Sequence, residues 1–324
     1  MTAQSSTSAL AVGDHMKSSR QPTRPRSRTA QAVRRARGLA LHAGLRAGLG
    51  VQQVVAPSVA DRRALQLWCT LPPGSGRRRD NRPHPGDVVR LDVPRGGSAV
   101  AEVWGEGPAV YLMHGWGGWR GQLGAFVQPL LDAGYRVVAV DAPGHGEADP
   151  GFLGAGKGTF MECMEALQAA GREFGPAAAI IGHSMGSMVA AHVVRAGLPT
   201  ERLVLIAPNH SFAEIVEHFA RTLGLSARTR RHLVTALEEI TERPLGDFDL
   251  EPLGADGSMP KTLVLHDRSD KETPHRVGES VAASWPNATL VTSEGLGHHR
   301  ILTDPGTVAA AVGHVTGRVA AHSS

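Results

Sequence analysis

Three residues have the types and the chain order needed for nucleophilic acyl chemistry: Ser184, Asp270 and His298. A serine hydroxyl is a weak nucleophile until a base takes its proton, and the base works only when a third group fixes its tautomer. Ser184 lies in Gly182-His183-Ser184-Met185-Gly186, directly after the apolar run 177–181. That pattern predicts a buried strand ending near Gly182, a helix starting at Met185, and a serine lifted on the strained turn between them. Gly-x-Ser-x-Gly alone also describes an ordinary turn, so its partners decide the reading. Asp270 and His298 each follow a strand-like run, 262–266 and 289–292. Open α/β sheets bind ligands beyond the carboxyl ends of their strands, so the three groups are expected at one sheet edge.

An acyl-transfer centre also needs donors for the developing oxyanion. His114-Gly115-Trp116-Gly117-Gly118 follows the apolar run 109–113. A glycine-rich turn there lets backbone amides approach a reacting carbonyl closely. The backbone N–H groups of Trp116 and Met185 are the candidate oxyanion hole.

These residues must be carried by a sheet. Short β-branched runs occur at 88–93, 99–104, 109–114, 136–141, 178–183, 203–207, 262–266 and 289–292. Helical patterns separate the later runs, at 120–133, 158–174, 185–196, 274–284 and 305–321. This alternation predicts an α/β fold with a doubly wound, mostly parallel sheet. No helix separates the first two runs, so an antiparallel hairpin is expected at one sheet edge. The connection between Pro208 and Pro260 is too long for a simple crossover and holds two helical patterns, 213–223 and 227–241. The expected organisation is a basic, disordered tail over 1–30, helices and a linker over 31–86, a core over 87–208 and 260–324, and an inserted helical lid over 209–259. Within the second segment, helices are expected at 31–48 and 58–69.

The chain has 324 residues and a formal charge of +4. The first 50 residues hold Lys17 and eight arginines against one acid, Asp14, so the remainder is mildly acidic. A basic tail on an acidic body is not the footprint of a nucleic-acid-binding domain, and no nucleic-acid partner is expected. Cys69 and Cys163 have no C-x-x-C spacing, and the sixteen histidines show no zinc-ligand spacing, so neither a disulfide framework nor a metal is expected. No run of about 18 apolar residues occurs, and no stable membrane insertion is expected. Arg34-Arg35 precedes a mostly apolar stretch, Gly38 to Ala60, as in a twin-arginine export segment, but His42, Arg46, Gln52 and Gln53 interrupt it. An amphipathic helix on a cytoplasmic protein is expected instead. Oligomeric state is not legible.

Taken together, His114 to Gly118, Asp141-Ala142-Pro143-Gly144-His145-Gly146, the Ser184 turn, His266 to Asp270 and Gly295-Leu296-Gly297-His298 resemble the α/β-hydrolase superfamily. The likeness is strongest to bacterial esterase and lipase-like members with a helical lid, and it spans roughly 87–320. It implies the fold, a Ser–Asp–His triad and no cofactor, with Asp141 bracing its own turn. The expected activity is hydrolysis of a small-molecule carboxylic ester or thioester through an acyl-enzyme. Acyl transfer, perhydrolysis or a non-catalytic binding role on the same scaffold are the alternatives. Two departures stand out. Asp267 occupies the glycine position of the family's Gly-x-x-Asp, which leaves it a competitor to Asp270, and His299 follows His298 as a rival base.

Overall fold

In a computed structural model the protein is described at residues 28–72, 79–209 and 211–318, with side chains of the first helix described from residue 36. The tail expected over 1–30 lies almost wholly outside these residues. The described residues fall in two compact units divided between Ala47 and Gly48, a point inside helix α1 (Arg28–Val55). This helix runs past the 48 expected from sequence and stops where Pro57 opens α2 (Pro57–Trp68), the residue before a proline being pushed out of helical geometry.

The second unit is built on an eight-stranded sheet. Its strands are β1 (Asp87–Asp92), β2 (Ser98–Trp104), β3 (Ala109–Met113), β4 (Arg136–Asp141), β5 (Ala177–His183), β6 (Thr200–Ile206), β7 (Lys261–Asp267) and β8 (Ala288–Ser293). The spatial order is β1-β2-β4-β3-β5-β6-β7-β8. β1 and β2 form the expected antiparallel hairpin at one edge, β2 also meets β4 antiparallel, and all later pairs are parallel. Every residue of β3 and β5 is buried, as their continuous apolar runs require of strands covered on both faces. β8 closes the opposite edge and alternates in exposure.

One sheet face packs on α4 (Phe160–Phe174), α5 (Met185–Arg195) and α9 (Arg276–Ser284) through Cys163, Met188, Val281 and Trp285. The other packs on α3 (Val127–Asp132) and α11 (Pro305–Val315) through Val127, Leu130, Ala311 and Val315. The helix expected over 120–133 is instead a 3₁₀ segment, Arg120–Phe126, followed by α3. The reason is Pro129: a continuous helix would set its ring against the carbonyl of Ala125, whereas in the first turn of α3 it needs no N–H partner. The last helix ends at Val315 rather than near 321, because Gly317 turns left-handed (φ +70°).

Between β6 and β7 the insertion folds as α6 (Phe212–Leu223), α7 (Ala227–Thr241), a 3₁₀ turn at Leu245–Phe248, and α8 (Leu250–Leu253). Ser211 and Ser226 cap α6 and α7 by accepting from Glu214 N and Thr229 N. Phe212 and Phe248 meet Phe160 of α4 edge-on at 5.1 and 5.4 Å, and His192 of α5 bonds the Phe248 carbonyl at 3.0 Å. These contacts dock the insertion on the sheet-covering helices. Among the described residues, no helix is long and apolar enough to cross a membrane.

Candidate active site

The strand-to-helix turn after β5 forces Ser184 to φ +55°, ψ −123°, a conformation costly to any residue with a side chain. The Ser184 N–H donates to Ile206 O at 2.8 Å and its carbonyl accepts from Ser187 N at 3.0 Å, so the turn is held from both sides. Gly186 is needed because a Cβ there would lie 2.4 Å from Met113 O and 2.5 Å from His114 O. That close approach presses the start of α5, with its free N-terminal amides, against the carboxyl end of β3.

The glycine-rich turn after β3 sits beside the serine. The Gly115 backbone comes so near that a Cβ on it would be 2.9 Å from Ser184 Cβ. The Trp116 and Met185 amides therefore belong to segments flanking Ser184 on two sides. His114 locks this turn: its Nδ1 meets Gly115 O at 2.8 Å and its Nε2 accepts from Ala142 N at 3.2 Å. Both ring nitrogens are used in the neutral form, and burial lowers the pKa. Asp141 braces its own turn, accepting from Glu147 N at 3.0 Å. It also takes Arg120 N at 2.6 Å and the Arg120 guanidinium, which reaches Glu102 and Glu147 as well. This ion cluster was not foreseen from sequence, where the three carboxylates stand 18–27 positions from Arg120 and carry no shared signal.

His298 lies on a short helical turn, Gly297–Arg300, after β8. Its Nδ1 is 2.7 Å from Asp270 Oδ2. Asp270 also accepts from Thr273 Oγ1 at 2.9 Å, Glu272 N at 2.8 Å and Thr273 N at 3.0 Å, and His266 Nε2 stands 3.6 Å away. Burial would raise its pKa, but the groups around it, His266 and His298 above all, hold the carboxyl far below the usual carboxylate range. An ionised Asp270 obliges His298 to carry its proton on Nδ1 and leaves Nε2 as the acceptor. The His298 carbonyl bonds His183 Nε2 at 2.9 Å, and the two rings lie 4.7 Å apart. His298 is thus pinned to the residue preceding Ser184, at the same end of the sheet. His183 itself is fully buried and its pKa falls well below the usual histidine value, so it stays neutral.

The expected residues are therefore brought together, and both rivals are placed. Asp267 points away from the His298 ring and bonds backbone amides instead. His299 faces Glu272, whose Oε1 is 3.1 Å from its Nε2. Ser184 is 8 % exposed, and among the described residues its hydroxyl has one hydrogen-bond contact, Asn209 Nδ2 at 3.5 Å, with none to His298. Asn209 was not singled out in the sequence; its position two residues beyond the turn that ends β6 was the available signal. Glu272 Oε2 stands 3.8 Å from His298 Nε2. Among the described residues no cluster of three or more His, Cys, Asp or Glu could hold a metal.

Known proteins share this arrangement of elements. The sequence model of the Alpha/beta hydrolase family matches residues 110–311. A 2-hydroxy-6-oxononadienedioate/2-hydroxy-6-oxononatrienedioate hydrolase of Cupriavidus pinatubonensis is 26 % identical over 64 % of this chain and 82 % of its own. The dihydrolipoyllysine-residue acetyltransferase component of an acetoin cleaving system of Cupriavidus necator is 34 % identical over 47 % of this chain, which spans only 38 % of that protein. Among solved structures, a thermophilic esterase from Thermogutta terrifontis superposes with TM-score 0.53 at 22 % identity, over 70 % of this chain and 97 % of its own. Alpha/beta hydrolase domain-containing protein 10 from mouse gives 0.55 at 14 %, over 70 % and 96 %. At such identities these structures speak for the fold. With the family model covering most of the chain, the protein belongs to the α/β-hydrolase family.

Proposed function

We propose that the protein is a serine hydrolase acting on a small-molecule carboxylic ester or thioester. The observation that carries the reading is the His298–Asp270 pair at 2.7 Å, packed against the strand end that presents Ser184 at φ +55°. In this reading His298 Nε2 takes the Ser184 proton as Oγ bonds to the acyl carbon. The Trp116 and Met185 amides receive the carbonyl oxygen as it becomes an anion. His298 then returns the proton to the departing alcohol or thiol. Water, activated by the same imidazole, cleaves the acyl-enzyme and restores the serine. Ser184 first leaves Asn209, since catalytic hydrogen bonds commonly tighten only around substrate. Asn209, where the insertion begins, stands 3.5 Å from the Ser184 hydroxyl, which makes the insertion the candidate wall for the acyl group. An esterase among the structural neighbours and a hydrolase of 2-hydroxy-6-oxononadienedioate among the relatives support a small-molecule hydrolase. Acyl transfer is the second reading, drawn from the acetyltransferase relative.

The test is turnover of a p-nitrophenyl ester series from acetate to palmitate by wild type and Ser184→Ala. Hydrolysis that peaks at one chain length and disappears in the variant supports the reading. Equal rates in the two proteins refute it. Wild-type turnover that accelerates with added alcohol or thiol and yields the exchanged ester points to acyl transfer.

A further inference from the structure

Asp267 is fully buried at the end of β7, where the family resemblance expects glycine, and the proposed mechanism gives it no role. Its carboxylate is nonetheless saturated. Oδ1 accepts from Gly297 N at 2.8 Å and Ser269 N at 2.9 Å, while Oδ2 accepts from Leu296 N at 3.0 Å and Ser293 Oγ at 2.7 Å. Leu296 has right-handed helical angles (φ −84°, ψ −41°) and Gly297 is left-handed (φ +66°). Successive residues of that right–left kind turn their amides inward to form a concavity that binds anions. Here the concavity is filled by the chain's own carboxylate. The next residue is His298. Three residues beyond Asp267 stands Asp270, whose N–H donates to the Asp267 carbonyl at 3.1 Å.

The geometry points to Asp267 as a positioning residue: an internal anion that latches the Gly295–Gly297 turn to the Asp270 loop and so sets His298 on Asp270. The inference rests on the proposed catalytic role of His298. The latch ties the two loops independently of the imidazole–carboxylate bond itself, because Ser269 belongs to one loop and Leu296 and Gly297 to the other. A glycine at 267 removes all four bonds. An asparagine keeps the shape and the two Oδ1 contacts but turns a donor toward the Leu296 N–H.

The experiment compares wild type, Asp267→Gly, Asp267→Asn and Ser293→Ala, each first checked for cooperative thermal unfolding. Ester hydrolysis, amide hydrogen exchange at Leu296 and Gly297, and the downfield Nδ1 proton signal of His298 are measured on each. A base displaced by about an ångström loses on the order of 10² in rate. The expected result is therefore a kcat lower by roughly that factor in Asp267→Gly, with KM within about threefold. Faster exchange at the two amides and a shifted or broadened imidazole signal accompany it. Asp267→Asn follows the same pattern less severely, and Ser293→Ala, which removes one bond and spares the fold, less again. A folded Asp267→Gly that keeps the wild-type kcat and imidazole signal overturns the latch, whatever its amides do. If wild type shows no Ser184-dependent turnover, the catalytic reading fails instead, and the His298 signal still decides whether Asp267 holds the ring.

Discussion

Replacing Asp270 by asparagine separates charge and tautomer from shape. The side chain is wholly buried and touches four donors: two backbone amides on Oδ1, and Thr273 Oγ1 and His298 Nδ1 on Oδ2. An asparagine keeps Oδ1 on the Glu272 and Thr273 amides, since its NH₂ group cannot accept from them. Its Nδ2 then faces His298 at the position where a carboxylate oxygen stood 2.7 Å away. A donor there makes the imidazole accept at Nδ1 and carry its proton on Nε2, the nitrogen that must receive the proton of Ser184. The base is then present but in the wrong tautomer. The same change in a serine protease costs about 10⁴ in kcat, which is about 5.5 kcal/mol of transition-state stabilisation. Because Asp270 cannot reach substrate, KM should stay within a few-fold. The assay is steady-state ester hydrolysis on protein whose circular dichroism and melting match wild type. A kcat within tenfold of wild type, or a loss carried by KM, refutes the assignment of Asp270 as the group that orients the base.

Three further outcomes follow from the packing. Gly186→Ala places a carbon 2.4 Å from Met113 O and 2.5 Å from His114 O, with only backbone to give way; a loss of about 1–3 kcal/mol in urea unfolding is expected, and an unchanged midpoint would contradict the close approach of α5 to β3. Arg120→Ala leaves the buried carboxylate of Asp141 without its cation, while Glu102 keeps Arg82, so the unfolding free energy should fall by about 3–5 kcal/mol; a stable, wild-type-like variant would show the cluster to be dispensable. His145 and His192 are buried neutral, with pKa values pushed down to about 3 and about 4 mainly by desolvation. The unfolded chain binds these protons first, so stability should drop as pH falls from about 6.5 toward 4, by up to about 1.4 kcal/mol per pH unit per histidine. A urea midpoint flat across that range would contradict it.

Much of the fold was legible because it rests on local periodicity. All eight strands lie within three residues of their apolar runs, and the hairpin at the β1–β2 edge follows from the absence of a helix between them. Ser184, Asp270 and His298 each follow such a run, and strand direction alone sends them to one edge. Spacing within the family pattern favoured Asp270 over Asp267, although both follow the same strand. Only the three-dimensional path of the turn at 295–297 shows which carboxylate meets a ring and which meets amides. The Arg120 cluster and the Asn209 contact were illegible for the same reason, their partners being distant in sequence and joined only by packing. The 3₁₀ segment at Arg120–Phe126 was open to a stricter reading, because Pro129 already forbade a continuous helix.

The proposed function makes Ser184 a nucleophile activated by His298. Reaction with a fluorophosphonate, followed by intact mass and peptide mapping, tests it most directly. One stoichiometric adduct is expected on the peptide containing Ser184, absent in Ser184→Ala and formed much more slowly in His298→Ala. A wild-type protein that is folded yet unlabelled, or labelled equally in Ser184→Ala, would contradict it.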